Sequence, residues 1–118
     1  MRQATIQNPS AGPAIETIRR TLCLSQEAIA RLLGISVRTI VRWEKEGDLP
    51  PPLERERIDL LREVVEIAKD IMNEKEVEIW FAKPKESLLG QRPLDLLSSF
   101  RGIQQIREVL EKARWGIF

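Results

Sequence analysis

Leu24–Gly47 reads LSQEAIARLLGISVRTIVRWEKEG, and its spacing predicts two short helices joined by a tight turn. Counted from Gln26, Ile29 and Leu33 share one helix face, and Ala30 lies where the second helix crosses closest, so only a small side chain fits there. Gly34 falls where the first helix must stop and the backbone needs a positive φ, and Ile35 plugs the corner between the helices. Ile40 and Trp43 complete the buried face of the second helix. Each helix carries its own start signal: Ser25 caps the one opening at Gln26, and Ser36 the one opening at Val37.

The outer face of the second helix is left with Ser36, Val37, Arg38, Thr39 and Arg42, and Lys45 stands one turn further on. The N-terminal residues of such a helix meet base edges in the major groove, where one arginine donates two hydrogen bonds to guanine, worth about 1 to 3 kcal/mol of discrimination. Arg38 is the first candidate for that contact and Arg42 the second. Val37 suits a thymine methyl, while Gln26, Thr39 and Lys45 suit phosphates, Gln26 aided by the free amides of a helix N-terminus. On charge alone these residues read as a solvated helix face. Within a unit whose core positions all fit, they read as DNA-binding residues.

The pieces LSQ, AIARLLGIS, TIVRWE and the closing Gly47 resemble the helix-turn-helix domains of Xre-type regulators, the lambda and Cro repressor superfamily, over residues 12–50. The resemblance implies a compact bundle of short helices that binds operator DNA as a dimer.

Composition is ordinary for a soluble globular protein, at 42% hydrophobic and 31% charged over 118 residues. The net charge of +1 is segregated: +2 over residues 1–50, −4 over 51–79 and +3 over 80–118. Attraction to phosphates is therefore local and modest, and useful affinity requires dimerisation and depends on salt. The N-terminal MRQATIQNPSAGP is polar, lacks the apolar core of a signal peptide and reads as a flexible arm over residues 1–11; no stretch is apolar enough to span a membrane, so a cytoplasmic protein is expected. The single cysteine, Cys23, reads as a small core residue between Leu22 and Leu24. With no histidine or tyrosine and one cysteine, the usual nucleophiles and bases are nearly absent. Neither enzymatic activity, nor a metal, nor a cofactor is expected.

Beyond Gly47 the prolines at 50–52 forbid helix until the last opens a new one. From Leu53 to Met72, Ile58, Leu61, Val65, Ala68 and Met72, flanked by Leu60, Val64, Ile67 and Ile71, make an apolar stripe wide enough for two partners. This connecting segment, 51–73, reads either as shared core or as a dimerisation helix. Asn73 with Glu76 forms a capping box for a short helix loaded with Val77, Ile79, Trp80 and Phe81. Pro93 opens a helix PLDLLSS, and Ser98 or Ser99 caps a last helix bearing Phe100, Ile103, Ile106, Val109, Leu110 and Ala113. The expected fold is all-α: a helix-turn-helix bundle over 12–50, then a small helical domain over 74–118.

The second half also resembles a known family. Trp80-Phe81, a pause ending at Pro84, LLGQRPLDLL, Gly102 near the start of the last helix, and an aromatic-Gly-aliphatic-aromatic ending are similar to the toxin-binding domain of Xre/MbcA/ParS antitoxins over residues 54–118. One departure is that Gly90 is followed by Gln91 where the family usually has two consecutive glycines. The resemblance implies the antitoxin of a type II toxin–antitoxin pair, whose toxin is commonly a RES-domain enzyme that depletes NAD. It places the antitoxin's C-terminal end over the toxin's active-site cleft, and so gives Arg114, Trp115, Gly116, Ile117 and Phe118 as toxin-binding residues, with Lys112 behind them.

Trp115-Gly116-Ile117-Phe118 puts three large apolar groups where a chain end is normally frayed and polar. They either fold back onto their own core or anchor a partner protein. Joined, the halves describe a repressor of its own operon that also neutralises the toxin, in a homodimer or a higher toxin–antitoxin assembly. The rival reading is a stand-alone transcription factor whose C-terminal domain dimerises or senses a ligand.

Overall fold

The computed structural model describes residues 11–116, and among them the chain is helical. In order come α1 (Gly12–Leu22), α2 (Gln26–Leu33), α3 (Val37–Glu46), α4 (Pro52–Ile71), α5 (Glu74–Ala82), a 3-10 turn at Glu86–Leu88, α6 (Pro93–Leu96) and α7 (Phe100–Arg114). The expected all-α class is the observed one. No strand occurs among the described residues; an isolated bridge between Lys85 and Gln91 pins the loop before α6.

The helix ends follow local chemistry. Ser25 Oγ accepts from the Ala28 amide at 3.0 Å and Ser36 Oγ from the Thr39 amide at 3.1 Å, each satisfying an amide that the first turn leaves unpaired. Gly34 closes α2 at φ +70°. Pro52 opens α4, as its missing N–H permits. Asn73 and Glu76 exchange amide bonds of 2.9 Å in a full capping box, and Ser99, not Ser98, caps α7.

One apolar cluster runs from Ile15 and Ile18 through Ile40, Trp43, Ile58 and Leu61 to Phe81, Ile103, Ile106 and Leu110. The stripe of α4 is covered from within the chain, by α1 and by α7. Only Leu53 at its start is an exposed large apolar group on this helix.

Three expectations are corrected. Cys23 is exposed, not core: α1 ends at Leu22 and Cys23 takes φ +57° as its left-handed cap, so it lies outside the core that its neighbour Leu22 enters. Its Sγ lies 3.9 Å from the Arg20 carbonyl, and the Glu78 carboxylate raises its thiol pKa above the ordinary value. Val109 and Ile79 are exposed members of otherwise buried faces. The segment PLDLLSS is helical only over Pro93–Leu96, because α7 crosses directly against the Leu96 carbonyl at Gly102.

Candidate functional site

The sequence-predicted DNA-facing residues gather on the exposed side of α3 and the start of α2, but they are not equally free. Arg38 and Lys45 are exposed and make no hydrogen bond or ion pair with any described residue. Val37 is half-buried and packs against the core edge. Ser36 and Thr39 pair their hydroxyls at 2.9 Å, so both are partly committed to the start of α3.

Arg42 donates from Nε to Asp48 Oδ2 at 2.9 Å. Both side chains are half exposed, and a surface pair of this kind stabilises little. The pair occupies the Nε edge and leaves both terminal nitrogens of Arg42 without a hydrogen bond among the described residues.

Gln26 is held more tightly than its sequence position suggested. Its Nε2 donates to Glu44 Oε1 at 2.7 Å, while Glu44 Oε2 accepts from Arg19 at 2.9 Å. Glu44's side chain is only 5% exposed, so this is a built network joining α1, α2 and α3, and it leaves one amide hydrogen of Gln26 for a phosphate. Glu44, Arg19 and Asp48 were not singled out from sequence. The available signal was a carboxylate inside an otherwise cationic helix face.

At the other end, α7 stops at Arg114. That residue is bound to Asp70 at 3.1 Å and Glu111 at 2.8 Å, and its guanidinium lies 5.5 Å from the Trp115 ring centroid. Of these two partners only Asp70 lies on α4; Glu111 is in α7 itself. Trp115 is 72% exposed and does not fold back onto the core, and Gly116 leaves it at φ +74° with open space around it. Ile117 and Phe118 lie outside the described residues.

A second exposed feature escaped the sequence reading: Leu89 is 92% exposed and sits at φ +59°, a conformation that leucine rarely adopts. Beside its loop, Lys85 lies 5.1 Å from the Trp80 ring centroid, and burial with Lys83 nearby lowers its pKa.

Among the described residues no cluster of His, Cys, Asp or Glu could hold a metal ion, and no helix is long and apolar enough to cross a membrane. Two exposed features stand at opposite ends of the sequence: Arg38, Arg42 and Lys45 on α3, and Trp115 beyond α7.

Residues 60–116 match the family described as the antitoxin Xre/MbcA/ParS C-terminal toxin-binding domain. Residues 27–58, covering α2, α3 and the start of α4, match the MerR family regulatory protein, a different regulator family from the Xre type expected there. The chain is similar to the mycobacterial cidal antitoxin MbcA of Mycobacterium bovis and of Mycobacterium tuberculosis. Each is 22% identical over 97 residues, covering 82% of this chain and 85% of the relative. Among solved structures it is similar to a chain in the crystal structure of the M. tuberculosis MbcT-MbcA toxin-antitoxin complex. That match has a TM-score of 0.73 and 22% identity, and covers 92% of this chain and 96% of that one, a likeness of fold.

Proposed function

We propose that this chain, which belongs to the Xre/MbcA/ParS antitoxin family through residues 60–116, is the antitoxin of a type II pair. Its second half binds and inhibits a toxin, and its first half holds operator DNA and represses the shared operon. The observation that carries the reading is Trp115, a large aromatic left exposed at the end of the last helix of a toxin-binding domain. An apolar group so placed serves a partner better than it serves its own fold. The toxin is a RES-domain enzyme that consumes NAD; this chain is not an enzyme and takes no cofactor. It acts in the cytoplasm, as a dimer or within a higher toxin–antitoxin assembly.

A tagged full chain expressed in its native host should retain one small enzyme, identified by mass spectrometry. Expressed alone, that enzyme should deplete NAD and arrest growth, and co-expression of this chain should restore both. Operator binding without any such enzyme would leave a stand-alone regulator as the function.

On DNA, Arg38 and Arg42 read bases, Val37 meets a thymine methyl, and Gln26, Thr39 and Lys45 meet phosphates near Ser36. Arg38→Ala should cost about 1 to 3 kcal/mol of discrimination between the operator and a site mutated at the contacted guanine. Lys45→Ala should weaken binding to every DNA alike and lower the salt slope by about one. Titrations at several salt concentrations separate the two; equal loss on both DNAs for Arg38→Ala would move that side chain to the phosphates. Asp48→Ala should do something else. Removing a carboxylate beside the phosphates raises non-specific affinity, while unbracing Arg42 lowers discrimination, and the same titrations read both.

A further inference from the structure

Arg57 lies in the second turn of α4, where the sequence shows only one cation among several. Its guanidinium donates to three backbone carbonyls: Nη1 to Leu33 at 2.9 Å, and Nη2 to Leu32 at 3.1 Å and to Ser98 at 3.0 Å. Leu32 and Leu33 are the last two residues of α2, whose carbonyls have no partner within their own helix. Ser98 lies in the turn between α6 and α7. The Phe100 ring covers the group, its centroid 5.8 Å from the guanidinium carbon, and Nε is buried without a partner. Among the described residues, no other side chain hydrogen-bonds both to the helix-turn-helix and to the segment that carries α6 and α7.

We propose that Arg57 is a positioning residue that sets the angle between the DNA-reading helices and the toxin-binding half, and so determines whether a toxin-bound assembly matches its operator. This rests on the function proposed above. The argument is geometric. The molecule is 40 Å in its longest dimension, so over a lever of about 20 Å a rotation of about 10° moves the base-reading residues by roughly 3.5 Å, more than a base hydrogen bond tolerates. One helix-turn-helix on one half-site adjusts to such a tilt by moving the whole chain. Two of them, held by a common toxin assembly over half-sites about 34 Å apart, cannot both adjust. A planar fork that meets carbonyls from both halves restrains the tilt; a lysine, whose ammonium is one point charge on a flexible stem, does not.

The test is Arg57→Lys in the full chain, with and without its toxin. It uses two duplexes from the DNA upstream of its own gene: the stretch that the wild-type toxin-bound assembly protects from nuclease, which serves as the complete repeat, and a single half of it. For the variant we expect toxin inhibition within twofold of the wild type and half-site affinity within threefold. Affinity of the toxin-bound assembly for the complete repeat should fall at least tenfold. Equal losses on both duplexes would mean that Arg57 only supports the helix-turn-helix fold, and no loss on either would mean that it positions nothing; each overturns the proposal. If Arg57→Lys melts too low to assay, Phe100→Leu keeps the fork and removes its cover, and should show the same selective loss at about threefold, with an equal or absent effect counting against the proposal. The wild type is read separately: failure to bind the complete repeat, alone or with toxin, would remove the proposed repressor function and this role with it. A loss confined to the variant concerns the positioning alone.

Discussion

A chain ending at Arg114 should fold as the full chain does and fail to protect against its toxin. Ile103, Ile106 and Leu110 keep α7 packed in the shared core with α4, and Trp115, 72% exposed, removes almost nothing from that core when it goes. If Trp115 and Phe118 are buried in the toxin, each contributes about 2 to 3 kcal/mol, so their joint loss should lower affinity by about three orders of magnitude. Inhibition titrations alongside a thermal melt check both halves of the expectation. Full inhibition by the truncated chain would place the contact elsewhere, with exposed Leu89 and Ile79 the next surface to mutate.

Gly102→Ala should have the opposite profile, with a large effect on stability from a change that helix propensity alone would favour by about 1 kcal/mol. A Cβ at this position would overlap the carbonyl group of Leu96 and sit 3.1 Å from Ser99 Oγ. The obstacle is backbone, so relief requires α6 to lift away from α7, undoing the crossing that also presents the Gly102 amide to its Ser99 cap at 3.0 Å. Overpacking of this kind costs about 3 kcal/mol, which for a chain of this length lowers Tm by roughly 10 °C. A melt unchanged within two degrees would show that the crossing gives way easily.

The helix-turn-helix was legible in the sequence because its determinants are local. A cap, a left-handed glycine and an apolar residue every third or fourth position each act within a few residues, and Ser25, Gly34, Ser36, Ile40 and Trp43 all stand where their spacing placed them. The capping box at Asn73 and Glu76 was legible for the same reason. What escaped was set by distant neighbours. Periodicity gave Ile79 and Val109 to apolar faces but could not say where the covering helix ends. Cys23 was misplaced because a left-handed cap at a residue other than glycine leaves no mark in composition. Arg57 and Glu44 were invisible as organising groups, since a side chain bonded to carbonyls or to a partner 18 or 25 residues away has no periodic signature. The aromatic ending was conspicuous as sequence, and the exposure of Trp115 adds the physical reason.

The helix α4 packs against both α1 and α7 within a single apolar cluster, and this has a bearing on how the chain is cleared from a cell. Two halves built on one shared helix share its buried contacts, so unfolding either half exposes apolar surface of the other. A ligand that binds only the folded state lowers the unfolded population by mass action across the whole cooperative unit, wherever on it the ligand sits. Under the function proposed above, a captured toxin shields the helix-turn-helix from turnover without touching it, so the lifetime of the chain follows the supply of its partner.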